Sequence, residues 1–172
     1  DPILWTDNRQ LLGESIHAFT NDSTVDSVYV REQALLAEQV DELKFNQVSG
    51  KLMRAYFNKG EMTYGAVDGN VRIMNYVMER DSVVLYKNFL EAPSLRVHIS
   101  NRRMNKAVAF PNPKGVLYPL GLAPEEHTRF PNFMWFDYIR PRNEHDLFEW
   151  RPKHDGSQLK ATQRRNAPLQ SL

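Results

Sequence analysis

The amino-acid sequence predicts a mainly α-helical protein with a minor β element, in which helical hairpins precede a long, proline-rich and largely extended C-terminal arm. Three observations lead to this prediction. Apolar residues recur at helical spacing between residues 27 and 92, they alternate with period two after residue 93, and nine of the ten prolines lie in residues 93–172. With 172 residues, 41% hydrophobic and 25% charged, the chain is long enough for one domain with a core.

The first segment, residues 1–26, is expected to be an extended lead-in that ends in a turn. Its end is a run of five polar residues, 20–24, of the types that favour turns. Before that run, residues 9–19 leave room for a short helix.

Residues 27–92 are predicted to form the helical domain. Ser27 is a suitable N-cap, and residues 58–60 end in a glycine that would stop a helix. Gly50 lies in the middle of this stretch, so one bent helix and two separate helices are both open. The predicted apolar stripe consists of Leu36, Val40, Leu43, Phe45, Val48, Leu52 and Tyr56.

The rest of this domain is ambiguous at one point. Asp68-Gly69 is a signal for a hairpin turn, whereas Val71 and Met74 have helical spacing and Asn70 can cap a helix. We favour a helix here, followed by a second short helix over residues 83–90 that ends before Pro93.

Residues 93–110 are predicted to form a short β-hairpin, because Leu95, Val97 and Ile99 alternate with polar residues. Residues 107–110 would pair with them across a loop at residues 101–105. Residues 111–172 are predicted to be an irregular aromatic and basic arm, because prolines recur there and each removes an amide donor.

Nothing in the sequence predicts an enzyme, a cofactor or a metal site. The chain has no cysteine, which excludes disulfides and thiolate chemistry, and it contains no nucleophile elbow and no glycine-rich phosphate loop. His127, His145 and His154 lie near carboxylates. Their spacing does not place two imidazoles on one face of a helix, so we favour solvated loops over a metal site.

Two parts of the C-terminal half are predicted to bind partners. Residues 93–172 have 13 Lys/Arg against 7 Asp/Glu, whereas residues 1–92 have 9 against 14. Seven aromatic residues lie between residues 130 and 150, and leaving them in water would forfeit about 10 kcal/mol of burial. The predicted partner-binding residues are Phe130, Phe133, Trp135, Phe136, Tyr138, Arg140, Arg142, Phe148 and Trp150. The predicted basic patch consists of Arg96, Arg102, Arg103, Lys106 and Lys114.

These features predict a non-catalytic accessory subunit of a large multiprotein assembly, such as a mitochondrial membrane complex. The aromatic residues have two possible places of burial, the chain's own helices or a groove of another subunit, and we favour the second. The basic patch would meet an acidic protein surface, anionic lipid headgroups or RNA. The alternatives are an RNA- or ribonucleoprotein-binding protein and a component of a viral or phage particle. The longest apolar runs are too short for a transmembrane segment, and the start at Asp1 is consistent with removal of a mitochondrial presequence.

Overall fold

A computed structural model of the chain describes residues 2–78 and 84–148, with the backbone alone for residues 147 and 148. These residues form one antiparallel sheet of nine strands. Short 3-10 turns follow the last strand, at Glu125–His127, Asp137–Ile139 and His145–Phe148. The strands are β1 (Ile3–Thr6), β2 (Arg9–Leu12), β3 (Ser15–Asn21), β4 (Thr24–Gln39), β5 (Phe45–Asn58), β6 (Glu61–Met78), β7 (Val84–Ser100), β8 (Arg103–Phe110) and β9 (Lys114–Pro119).

The prediction of a mainly α-helical fold with helical hairpins was therefore wrong. No helix of seven or more residues occurs in residues 2–78 and 84–148. The segment predicted to be helical, residues 27–92, contains the long strands β4, β5 and β6 and the start of β7. The short helix considered for residues 9–19 is replaced by β2 and β3.

Shifts of strand register lie side by side in the four long strands, β4 to β7, and divide the sheet into two parts. The strand register shifts between residues 31 and 34, between 49 and 52, and between 68 and 71, and Pro93 lies at the same level in β7. Several residues at these shifts have positive φ: Glu32 (55°), Gln33 (51°), Gly69 (82°) and Asn70 (50°). These are bulges, which bend strands and increase their twist.

We call the two parts half-sheet A and half-sheet B. Half-sheet A contains β1, β2 and β9 with residues 34–39, 45–49, 71–78 and 84–92. Half-sheet B contains β3 and β8 with residues 24–31, 52–58, 61–68 and 94–100. Each long strand thus contributes to both parts, and each part has its own edge strands.

Two apolar clusters stabilise this arrangement. One cluster is shared by the half-sheets: it combines Val30, Met53 and Val67 of half-sheet B with Val71 of half-sheet A, and Ile73 packs against it. We call the faces that contribute to it the inner faces. The other cluster lies on the outer face of half-sheet A, where the segment that follows β9 covers it. Its buried members are Leu12, Leu35, Met74, Tyr76, Phe89, Phe130 and Phe136.

Burial of both faces of half-sheet A explains why its apolar residues have the spacing expected of a helix. Residues 34, 35 and 37 are buried and residue 36 is half-buried, with Leu35 in the outer cluster and Leu36 packed against the inner one. A strand covered on both sides loses its alternation of apolar and polar residues. The bulges then shift the phase by a residue, so the remaining apolar positions fall at helix-like spacing. Leu43, assigned to the predicted stripe, lies in the turn after β4 and is 79% exposed.

The two local signals around residue 70 also have a different meaning in the structure. Asp68-Gly69 is part of a bulge within β6 and connects the two half-sheets rather than two strands. The predicted helix after it is the second half of β6, and the short helix predicted at residues 83–90 is replaced by β7. Leu95, Val97 and Ile99 lie in β7 and pair with Ala109, Ala107 and Met104 of β8.

Candidate binding surfaces

The described part of the C-terminal arm that follows β9, residues 120–148, is called the arm from here on. Two buried glutamines fix it to half-sheet A. Gln10 of β2 donates from Nε2 to the carbonyl of Met134 (2.7 Å), and its Oε1 accepts from the backbone N–H of Phe136 (2.7 Å). Gln10 has no exposed surface. A glutamine amide can satisfy one carbonyl and one N–H at the same time, so this side chain replaces the sheet partner that the arm lacks.

Gln47 of β5 makes the same pair of hydrogen bonds to a part of the arm six residues nearer the N-terminus. Its Nε2 donates to the carbonyl of Thr128 (3.2 Å), and its Oε1 accepts from the N–H of Phe130 (3.0 Å). Gln47 is 1% exposed. The two glutamines therefore fix the arm on both sides of the buried Phe130.

The aromatic residues of the arm contact the chain's own sheet. Phe130 and Phe136 are buried, and the rings of Phe133 and Trp135 each lie 5.0 Å from the ring of Phe45. Within the described residues, the apolar surface of Phe130 and Phe136 is used in this contact. Either residue could bind a partner only after the arm had left the sheet.

The remaining predicted arm residues are placed differently. Tyr138 is partly exposed and lies beside Phe136, and Arg140 donates to the carbonyl of Asp7 in the β1–β2 turn (2.6 Å). Arg142 is exposed. The side chain of Phe148, and Trp150 altogether, lie outside the described residues.

The arm also covers a buried lysine. Lys87 of β7 donates from Nζ to the hydroxyl of Thr128 (2.8 Å) and lies 5.0 Å from the centre of the Tyr76 ring. Burial lowers the pKa of Lys87, because removing the ammonium group from water disfavours its charge. Burial likewise raises the pKa of Tyr76.

The His127 ring of the arm also packs against half-sheet A. Its ring stacks on Phe89 with the ring centres 3.7 Å apart, and its Nδ1 shares a hydrogen bond with the hydroxyl of Tyr118 (2.8 Å). His145 is exposed, and His154 lies outside the described residues. No group of three potential metal ligands occurs in residues 2–78 and 84–148.

Half-sheet B differs from half-sheet A because its outer face carries a row of aromatic rings that the arm does not cover. The row runs across β3, β4, β5, β6 and β7, and neighbouring ring centres are 5.0–6.1 Å apart. The hydroxyls of Tyr29 and Tyr56 lie 3.2 Å apart and share a hydrogen bond, which raises the pKa of Tyr29. The row consists of Phe19, Tyr29, Tyr56, Tyr64 and His98.

A charged cluster lies next to this row on the same face. Asp68 accepts from Ser94 Oγ (2.8 Å), Arg96 Nη1 (2.8 Å) and Arg54 Nη2 (2.5 Å). Burial alone would raise the pKa of Asp68, but these three donors outweigh it, so the pKa lies below its ordinary value. The guanidinium of Arg96 also lies 5.3 Å from the centre of the Phe110 ring.

Comparison with protein-family models, curated proteins and solved structures finds no match. Among the described residues, no helix is long and apolar enough to cross a membrane.

The predicted basic patch is divided between the two half-sheets. Arg96, Arg103 and Lys106 share the outer face of half-sheet B, since the register of β7 and β8 pairs them with residues of that face. Arg102, in the β7–β8 turn, forms an ion pair with Glu61 (3.1 Å), and Arg103 follows it as an exposed residue of β8. Lys114 begins β9 in half-sheet A, away from the others.

Sequence reasoning missed the residues that define both surfaces. A lone glutamine carries no sequence signal, so Gln10 and Gln47 could not be identified before the arm was located. Tyr29 did have a usable signal, because it alternates with the buried residues Val28 and Val30 in a strand-like pattern. That signal ends at the bulge after Arg31.

Proposed function

We propose that this protein is a non-catalytic subunit of a multiprotein assembly, which binds its neighbours through the edges of its sheet. The observation that carries this proposal is the exposed strand β8. In the part of the chain that the structure describes, β8 pairs with β7 alone. Seven of its eight residues are exposed.

An edge strand presents unpaired backbone N–H and C=O groups, to which an extended segment of another protein can add. β8 contains no proline before Pro111, so its outward amide groups are all present. β1, β3 and β9 likewise pair with one neighbour each among the described strands. A subunit with edges in both half-sheets can contact more than one neighbour.

The buried and half-buried ionisable groups support a structural role because contacts within the fold occupy them. Asp68 is bonded by two arginines and a serine, and Lys87 by Thr128 under the arm. The imidazole of His127 is held between Phe89 and Tyr118. These contacts stabilise the sheet and the arm.

The proposal can be tested with a photo-crosslinking amino acid placed at Asn105 or Ala107 of β8, both of which are exposed. The matched control is the same amino acid at Lys59, an exposed residue of the turn between β5 and β6. We expect the β8 positions, but not the control, to form crosslinks to a small and reproducible set of proteins in cells that express the chain.

Crosslinks from β8 to RNA would instead favour the RNA-binding alternative. If the β8 positions give the same weak background as the control, the proposed function is wrong.

A further inference from the structure

The outer faces of the two half-sheets differ in what covers them. The arm covers the face of half-sheet A, and its anchors are buried there. On half-sheet B, Phe19 is 51% exposed, and Val108 and Phe110 are each 38% exposed. These residues lie around the aromatic row, so the uncovered face has an apolar centre that is accessible to a partner.

The charge on this face is positive. Residues directly opposite each other in an antiparallel pair point to the same side of the sheet. The register therefore assigns five cations and two carboxylates to this face: Arg31, Arg54, Arg96, Arg103 and Lys106, with Glu61 and Asp68. Glu61 forms an ion pair with Arg102 of the adjoining turn. Asp68 is bonded to Arg54 and Arg96. Arg31 at one side of the face, and Lys106 with its neighbour Arg103 at the other, are exposed and are therefore the cations most available to a partner.

Charge also argues against two occupants from within this protein. Residues 149–172 contain five Lys/Arg and two Asp/Glu, so the chain's own C-terminal segment has the same sign as the face. The same face of a second copy would oppose cations with cations. A complementary occupant must be acidic, which favours a segment of another protein.

The packing of the rings favours a protein over single-stranded nucleic acid. Stacked bases need open ring faces, but Tyr29, Tyr56 and Tyr64 are half-buried and their rings contact each other at interplanar angles of 43–68°. A tilted row presents ring edges and an apolar ridge. Apolar side chains can lie against such a ridge without stacking.

We infer that the outer face of half-sheet B is the docking surface for an acidic, apolar segment of a partner protein, an inference that rests on the proposed function. Apolar side chains of that segment lie over the aromatic row, and its carboxylates pair with Arg31 and Lys106. β4 and β8 are four strand spacings apart, about 19 Å, which an extended segment of about six residues spans.

The test uses the full chain and a fluorescent peptide of about ten residues with equal numbers of glutamate and phenylalanine, enough to span the face. Three probes of the same length serve for comparison: the peptide with lysine for glutamate, the peptide with glycine for phenylalanine, and single-stranded oligothymidine. Binding is measured by fluorescence anisotropy at low and high salt. We expect the glutamate–phenylalanine peptide to bind best and salt to weaken it.

Charge reversal then locates the site. The double variant Arg31→Glu, Lys106→Glu should weaken peptide binding by about tenfold or more, because it replaces two attractions with two repulsions. Lys59→Glu, Lys114→Glu is the matched control, since both lysines are exposed and lie off this face. It should leave binding unchanged, and circular dichroism should show that both variants are folded.

Equal binding by both double variants, tighter binding of oligothymidine, or no binding of any probe would each overturn the docking surface. The crosslinks from β8 separate this failure from failure of the proposed function. If they still identify partner proteins, only the docking surface is wrong; if they are absent as well, the assembly role fails too.

Discussion

Replacing Gln47 with leucine should loosen the C-terminal arm and destabilise the protein. The substitution removes two hydrogen bonds, to Thr128 and Phe130, each with a net value of about 1 kcal/mol. It also leaves the N–H of Phe130 buried without a partner, which costs about 1–3 kcal/mol. Leucine recovers part of this by its apolar surface, so we expect a loss of about 2–4 kcal/mol in the free energy of unfolding.

Urea denaturation followed by circular dichroism measures the global loss, and hydrogen exchange measures local opening. If the arm detaches before the sheet unfolds, amides in residues 130–139 should exchange faster by about a hundredfold for each 2.7 kcal/mol. The control is Gln39→Leu, because the Gln39 side chain is half-buried and forms no hydrogen bond with the described residues. It should change stability by less than about 0.5 kcal/mol.

The two glutamines should also be coupled. Gln10→Leu alone should have an effect similar to that of Gln47→Leu, because its bonds to Met134 and Phe136 are of the same kind. The double variant should lose less free energy of unfolding than the sum of the two single losses. If one substitution already releases the arm from the sheet, the hydrogen bonds of the other glutamine are broken as well. Strict additivity, or an effect of Gln47→Leu no larger than that of Gln39→Leu, would refute the role assigned to these bonds.

Three further predictions concern the buried groups around the two surfaces. Phe136→Ala should cost about 3–5 kcal/mol in urea denaturation, because Phe136 is fully buried, whereas Tyr138→Ala, at a residue 37% exposed, should cost much less; equal losses would contradict the burial of the arm. Lys87→Met should raise stability at neutral pH by up to about 2 kcal/mol, because it removes a buried charge while Thr128 keeps its bond to Pro124. Since the folded-state pKa of Lys87 is lowered, wild-type stability should rise as the pH approaches the ordinary value of 10.5, and the variant should lack this rise in urea midpoints compared across alkaline pH. Asp68→Asn should cost about 1–2 kcal/mol at pH 7, because Arg54 and Arg96 lose their carboxylate. The contribution of Asp68 is present above the ordinary pKa of 3.8 and disappears as the pH falls through the lower folded-state pKa, so thermal unfolding of wild type and variant should converge in strong acid.

The fold could not be predicted from sequence because its regularity is interrupted in two ways. The strand register shifts along a line through the middle of the sheet, and half-sheet A is buried on both faces, so neither Leu35 nor Leu36 faces water. Periodicity reports secondary structure only where one face is exposed and the phase is kept. Val28, Tyr29 and Val30 meet both conditions, and there the strand pattern is visible in the sequence.

For the candidate surfaces, the sequence could predict which residue types take part, but not which residues lie on the same face. The sequence identified Arg96 and Lys106 as basic residues that need a negative partner. It could not show that four more strands contribute side chains to the same face. Tyr56 and Tyr64 are eight residues apart in the chain but become direct neighbours through strand pairing.

The sequence by itself determined that the chain has no thiol chemistry and that the aromatic residues from Phe130 onward are costly to leave in water. Tertiary structure alone decided where they are buried: Phe130 and Phe136 lie on the chain's own half-sheet A, held by Gln10 and Gln47. The physical reason is that apolar burial has no direction and is equally favourable against any apolar surface. Hydrogen bonds do have direction, and two glutamines at the right register select the face that the arm covers.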